Sequence, residues 1–406
     1  MESKTLRQLT TKLQSGDGIL AEDIKEKGLY PVYGGNGLRG YTDTYNEDGA
    51  FFFIGRQGAK CGNVHYHIGK AFMTEHAVVG IPSEGNDAVY LAYCLSQMNL
   101  GRLQGQSAQP GLAVSTLSEV VLNIPTTLEQ RKIGKVLLSI DRKIALNTRM
   151  NAELEAMAKQ LYDYWFVQFD FPDENGNPYK FSGGKMVYNS TLKREIPAGW
   201  EVTSIGDLIT TERGISYSTP NISSGNGVPM LNLATFMPGG GDYKASGLKH
   251  YLGDYPTSKV LKPYDLIMCN TQQTAIKFET DIIGRAMLVP DIFEGDIVFS
   301  HHVNIIKTKN DDLKYYLLYL FNSDYYHKYI SGYTNGTNIL GLSFNGVSEY
   351  NLEIPPEAIQ EQFASLILDV AKKKSLIFKE SSNLAHLRDS LLPMLMNGQV
   401  TVEFYG

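Results

Sequence analysis

The sequence predicts an α+β protein in which two mixed α/β globular domains are separated by two long helices forming an antiparallel coiled coil. Three observations predict it. The segment after Leu122-Asn-Ile-Pro125 recurs after Leu352-Glu-Ile-Pro355, at an offset of 230 residues without a gap. The repeated segments carry a heptad stripe of apolar residues. The short strands and glycine-rich turns before each copy follow the same order. A repeat of this length means two similar half-molecules in one chain.

The first long helix is predicted over 126–166. Its seam runs Ile133, Leu137, Ile140, Ile144, Asn147, Asn151, Leu154, Ala158, Leu161 and Trp165, in alternating steps of four and three. Asn147 and Asn151 are polar layers, suited to fixing register. Thr126 and Glu129 have the spacing of a capping box. In the second copy Phe363, Ile367, Val370, Leu384 and Leu391 keep the seam, Lys374, Ser381 and Arg388 interrupt it, and Pro393 is expected to kink or end the helix. At 1.5 Å per residue each rod measures roughly 60 Å and cannot bury its stripe alone. Antiparallel pairing places Asn147 near Ser381 and Trp165 near Phe363; the alternative is two independent helices, each packed on its own domain.

A chain of 406 residues is long enough for two or three cores. Its 43% hydrophobic and 20% charged residues are those of a soluble globular protein. No apolar run approaches the roughly 18 residues of a membrane span. The segment Met-Glu-Ser-Lys-Thr-Leu-Arg at the start has no signal-peptide core. Three isolated cysteines, Cys61, Cys94 and Cys269, suggest neither disulfides nor a metal site and point to the cytoplasm. A net charge of −6 argues against gripping nucleic acid by bulk charge but leaves room for local basic patches.

In order, residues 1–125 form the first domain. Residues 4–13 read as a helix, Tyr30-Pro-Val-Tyr-Gly-Gly-Asn-Gly37 as a strand breaking into a turn, and 50–54 as a buried strand with a hairpin partner at 63–68. A helix at 86–100 precedes a polar loop at 105–111. Residues 126–168 are the first long helix and 169–196 an ordered linker rich in turn formers. Residues 197–355 are the second domain, and 356–406 the second long helix with its tail. Residues 228–232, 261–268 and 299–302 take the places of 30–33, the Phe51 strand and 73–76 in the first half. The globular offsets drift, as expected for one fold carrying different loops.

The search for catalytic constellations is negative. The sequence holds no Walker loop, no Gly-x-Gly-x-x-Gly after a strand, no nucleophile elbow, and no Asn/Asp-Pro-Pro-aromatic tetrapeptide of an adenine methyltransferase. His65 and His67 share one face of a strand without a third ligand, so no metal site is assigned. His76 and His301-His302 occupy matching places, which favours a repeated structural role. Polar contact chemistry is the stronger signal. In the first half Arg39 lies in a glycine-rich turn, Arg56, Gln57 and Lys60 at a strand end, and Gln106, Ser107 and Gln109 in one loop. In the second, Asn270, Thr271, Gln272 and Gln273 lie at the equivalent strand end, Lys277 and Arg285 beyond it, and Asn335, Thr337 and Asn338 in the equivalent loop. Arg, Gln and Asn suit base edges, and Lys, Ser and Thr suit phosphates. Ordinary solvated loops are the competing reading for any one of them.

Taken together, the repeat, the two Ile-Pro junctions, Leu161-Tyr-Asp-Tyr-Trp-Phe166, Asn177-Pro-Tyr-Lys-Phe-Ser-Gly-Gly184 and Ile196-Pro-Ala-Gly-Trp200 give the whole chain a family likeness. It resembles the DNA-specificity subunit of type I restriction-modification systems. The resemblance implies two target recognition domains, each binding half of a bipartite asymmetric site on double-stranded DNA. It implies that the helices set the spacer and dock two methyltransferase subunits. It also implies that this chain has no active site and binds no cofactor. S-adenosylmethionine belongs to the methyltransferases, and ATP and Mg to motor-nuclease subunits where present. The competing readings are a specificity module of a related phage-defence methyltransferase system, a structural tethering protein, and a two-domain enzyme using unusual residues. The first half departs from the pattern by lacking a counterpart of Ile196-Pro-Ala-Gly-Trp200, so its opening strand is expected to be shortened or supplied differently.

Overall fold

Strand Ala50–Gly55 buries five consecutive residues, which a strand does only when both of its faces are covered. Successive side chains point to opposite faces. Phe52 and Ile54 join a core with Leu6, Leu9, Tyr90 and Leu91, while Phe51 and Phe53 join another with Met73 and Val79. Strand Leu266–Cys269 divides its side chains in the same way. Leu266 and Met268 face one core, and Ile267 and Cys269 another. The structure, a computed structural model, describes residues 1–58, 60–105, 111–273 and 278–403.

The chain divides into two compact units, Met1–Leu146 with Ser381–Gly406, and Asn147–Glu380. This division does not follow the predicted boundaries at 125, 168, 196 and 355. Each unit takes in part of both long helices, Thr127–Tyr162 and Glu357–Met396.

In the first unit an antiparallel sheet has the order Thr10–Ser15, Ala77–Pro82, Ala50–Gly55, Val64–Ile68. The second unit repeats it with Ile209–Arg213, Val303–Thr308, Leu266–Cys269 and Ala286–Leu288. A second sheet in each unit holds one parallel pair, Tyr30–Gly34 with Phe72–Met73 and Val228–Leu231 with Ile297–Phe299. Gly16 and Gly214 mark the same corner. A Cβ there would lie 2.2 Å from the Met73 carbonyl oxygen and 2.3 Å from that of Phe299.

Two expectations are corrected. Residues 4–13 are not one helix: only Leu6–Leu9 is helical, between strands Glu2–Thr5 and Thr10–Ser15. The leucine spacing is helical, but β-branched Thr10 and Thr11 are drawn into a sheet by pairing with Ala77–Pro82, a long-range partner that a local pattern does not reveal. The opening strand of the first half is also present. Glu2–Thr5 pairs with Val121–Ile124 as Glu201–Ser204 pairs with Asn351–Ile354. Within the ordered linker 169–196, Phe169, Phe171 and Ile196 are buried in the second unit's core, and most of the other residues are exposed. Phe169 and Phe171 pack on Trp200 with ring centroids 5.6 and 5.2 Å apart, and Met186–Asn189 pairs with Arg194–Pro197.

The Thr126–Glu129 capping box forms reciprocally. A buried glutamine then latches each helix start. Gln130 Nε2 donates to the Pro125 carbonyl at 3.2 Å and Gln360 Nε2 to that of Pro355 at 2.7 Å, with Asn86 and Asn310 as further partners. Pro393 does not end its helix, which runs on to Met396. Its missing N–H removes one helical hydrogen bond, and Leu392 and Leu395, anchored in the first unit's core, hold the last turn in place.

The helices pair antiparallel. In the first unit Ile133 and Leu137 share a core with Leu392 and Leu395, and Arg388 donates to Asp141 at 2.9 Å. In the second, Asn147 donates to Glu380 at 2.8 Å, Lys374 to Glu155 at 2.6 Å, and Trp165 meets Phe363 at 5.7 Å between centroids. Asn147 therefore meets the residue next to Ser381. Every predicted seam residue, including Ile144, Asn151, Leu154, Leu161, Val370, Leu384 and Leu391, is buried or half-buried.

Phe363 is fully buried among Tyr162, Trp165, Phe166 and Tyr319. Phe363→Ala is expected to cost about 3–5 kcal/mol in chemical denaturation. A loss under about 1 kcal/mol would mean that this aromatic cluster does not support the helix pair.

Candidate nucleic-acid interface

The two predicted clusters in each half, a strand end and a polar loop, are joined by backbone hydrogen bonds. In the first unit Gln57 bridges to Gly111, and the Leu112 amide donates to the Arg56 carbonyl at 2.9 Å. In the second, Thr271–Gln273 pairs with Ile339–Leu342, and the Leu342 amide donates to the Asn270 carbonyl at 2.8 Å. The backbone also fixes which residues correspond. The Arg56 amide donates to the His76 carbonyl, and the Asn270 amide to that of His302. Arg56 and Asn270 therefore occupy one position in the fold. Ser15 pairs with Val78 as Arg213 pairs with Asn304, so these also correspond.

This correspondence exposes an exchange that the sequence reading missed. In the first unit the guanidinium comes from the central strand: Arg56 Nη1 donates to Ser15 Oγ at 2.7 Å. In the second it comes from the neighbouring strand: Arg213 Nε donates to the His301 carbonyl at 2.6 Å. Asn270 takes the place of Arg56 and donates to the same carbonyl at 3.1 Å and to Asn304 Oδ1. The signal that finds Arg213 is strand register, which an ungapped repeat does not carry.

Other predicted contacts divide by burial. Arg39, Gln57, Lys60, Asn335, Thr337 and Asn338 are exposed. Arg39 lies on strand Gly37–Thr42 rather than in the turn, with its stem against Gly34, where a Cβ would meet Arg39 Cδ at 2.8 Å. Gln57 Oε1 sits 3.1 Å from His76 Nδ1. Thr271 and Gln272 are buried; Thr271 donates to Asn270 Oδ1 at 2.6 Å, and Gln272 accepts from the Ile282 amide at 2.5 Å. Arg285 is only 2% exposed. It donates to the Asn322 carbonyl and lies 3.6 Å from Asp324, so it braces the fold and does not reach solvent. Gln106, Ser107, Gln109, Lys277 and the side chain of Gln273 lie outside the described residues.

Groups suited to chemistry are held inert. His65 stacks on Phe53 at 5.1 Å, and His67 packs against Tyr33 and Phe51; burial lowers the pKa of both imidazoles. Among the described residues no group of three or more His, Cys, Asp or Glu is placed to hold a metal. Burial pushes the Cys94 and Cys269 thiols up to about 12, which removes the thiolate needed of a nucleophile. Among the described residues no helix is long and apolar enough to cross a membrane.

Two α/β domains of one topology, each presenting a strand end bonded to a loop and joined to a paired-helix scaffold, define a two-domain recognition protein. The family model for the type I restriction modification DNA specificity domain matches residues 1–156 and 197–384, and the chain belongs to that family. It is 27% identical over 330 residues to the specificity subunit of the type I restriction enzyme MjaIX of Methanocaldococcus jannaschii, covering 80% of this chain and 71% of that one. The EcoprrI specificity subunit of Escherichia coli is 41% identical over 142 residues, covering 34% of this chain and 35% of its own length. The crystal structure of a type I restriction-modification S subunit from M. genitalium shares the fold, with a TM-score of 0.59 at 16% identity over 100% of this chain and 96% of that one.

Arg285→Ala is expected to lower stability by about 1–3 kcal/mol, by removing a buried side chain and the donor to the Asn322 carbonyl. Thermal unfolding reads the loss. A variant as stable as wild type with altered DNA preference would instead place Arg285 at the ligand.

Proposed function

We propose that this chain is the sequence-reading subunit of a type I restriction-modification complex, with each domain binding one half of a bipartite, asymmetric site on double-stranded DNA. The observation that supports this most is the pair of matching corners. One backbone arrangement holds Arg56, Ser15 and Glu75 in the first unit and Asn270, Arg213 and His301 in the second. A constant frame with different polar side chains is what two readers of different sequences require.

The paired helices serve as the spacer between half-sites. Off-seam residues such as Met157, Leu376 and Leu387 are 63%, 67% and 48% exposed, an apolar presence that supports docking of two methyltransferase subunits. Those subunits carry S-adenosylmethionine and methylate adenine N6. Motor-nuclease subunits with ATP and Mg add restriction where they are present. This chain works in the cytoplasm as the recognition subunit and contributes no catalytic group. Its net charge of −6 leaves much of the electrostatic grip on DNA to its partners.

Methylome sequencing of cells carrying the chain with its methyltransferase yields one bipartite adenine-methylated motif on this reading. An unbiased methylome would overturn it. Within that motif, Arg56→Ala is expected to relax one half-site alone, by roughly 1–3 kcal/mol for a bidentate base contact. Equal losses at both half-sites in a binding assay would show a structural role for Arg56.

A further inference from the structure

In the second unit the end of strand Ile209–Arg213 and the turn Ser300-His301-His302 bring basic groups to one corner. The His301 and His302 rings lie 3.9 Å apart between centroids. His301 Nδ1 is 3.3 Å from the Ile215 carbonyl, and Tyr217 packs on its ring at 5.3 Å. His302 Nδ1 is buried and makes no hydrogen bond among the described residues. Arg213 commits Nε to the His301 carbonyl, and among the described residues its terminal nitrogens make no hydrogen bond or ion pair. Lys249, on strand Lys249–Tyr251, adds a fourth basic group.

Among the described residues no carboxylate pairs with Arg213, His301 or His302. Burial first, then His301, Arg213 and Lys249, push the His302 imidazole down to about 4. Burial and Arg213 lower His301 against the opposing effect of the Ile215 carbonyl. The charged groups that lower the two imidazoles, Arg213 and Lys249, are basic, and Tyr217 on the His301 ring is a neutral phenol. Glu212, beside Arg213 in the chain, is taken up by Lys259 at 2.7 Å and Lys307 at 3.7 Å. The first unit differs at the same place. Glu75 Oε1 lies 3.2 Å from His76 Nε2, Gln57 holds Nδ1, and Ser15 stands where Arg213 does. In the first corner a carboxylate faces the imidazole, whereas in the second the equivalent residue is a second imidazole.

We infer that Arg213, His301, His302 and Lys249 form a DNA-phosphate site of the second recognition domain that takes up protons as DNA binds. The inference rests on the DNA-reading function proposed above. It places a backbone contact beside Asn270, whose side chain donates to the carbonyl of His301. A phosphodiester raises the pKa of an adjacent imidazole. A group whose pKa is higher in the bound state strengthens binding below that bound pKa, and the contribution fades as pH rises through it. The second domain's grip therefore tightens on mild acidification.

The test is fluorescence anisotropy of the full chain with a labelled duplex of arbitrary sequence at fixed low salt, since phosphate contacts do not depend on sequence. From about pH 7.5 to about pH 5.5 wild-type affinity is expected to rise roughly tenfold, and that of H301Q/H302Q roughly threefold or less. Arg213→Ala should lower the slope of log affinity against log salt by about one. Should the double variant fold poorly, H301Q and the imidazole Cε1 resonances of the wild-type chain carry the test, and those resonances move toward the protonated form on adding duplex. Duplex binding with an unchanged pH slope in the histidine variants, or imidazole resonances that do not respond to saturating duplex, overturns this site and leaves DNA recognition standing. No duplex binding at any pH, either by the full chain or by its complex with the methyltransferase subunits, overturns both.

Discussion

The structure depends on one constraint: each long helix carries an apolar seam that its own half of the sequence does not cover. The solution is reciprocal. The first unit's core closes with Leu392 and Leu395 from the last helix, and the second unit's with Tyr162, Trp165 and Phe166 from the first. Charge pairs follow one polarity, with acids on the first helix (Asp141, Glu155) and bases on the second (Arg388, Lys374). Lys374 lies between Glu155 and Asp242, and Asp141 also accepts from Tyr66 and Tyr93 at 2.6 Å each. Breaking such half-buried pairs leaves a stranded charge, so they disfavour other registers more than they add net stability.

Within that frame the two domains repeat a backbone and vary its contents. Antiparallel pairing puts the end of a central strand next to a neighbouring strand end, a tight turn and a loop. Gly16 and Gly214 permit the close approach on which that geometry depends. Backbone hydrogen bonds hold the corner, so its side chains are free to differ. The guanidinium moves from Arg56 to Arg213, and a carboxylate–imidazole pair gives way to two imidazoles. This separation of frame from side chains is what the proposed reading of two different half-sites requires.

The negative net charge and the DNA-binding role are reconciled by locality. Glu212, next to the second corner, is engaged by Lys259 and Lys307, and among the described residues no carboxylate pairs with Arg213. Electrostatic attraction is screened within about 10 Å at ordinary salt, so the local balance matters more than the total.

The sequence by itself determined the repeat, the two helices, their antiparallel register and the family. These rest on periodic apolar residues at constant spacing, which survive without knowledge of distant contacts. The matching of Trp165 to Phe363 follows from that spacing alone. Only the tertiary structure decided what depends on strand pairing. It made Glu2–Thr5 a strand, drew Phe169 and Phe171 into a core, buried Arg285 and brought Arg213 to the corner. Asn270 and Arg285 read as exposed polar residues because a sequence shows side-chain type but not which neighbour satisfies it. The physical reason is range: helix seams are written in steps of three and four, whereas a sheet corner joins residues whose spacing changes with every loop.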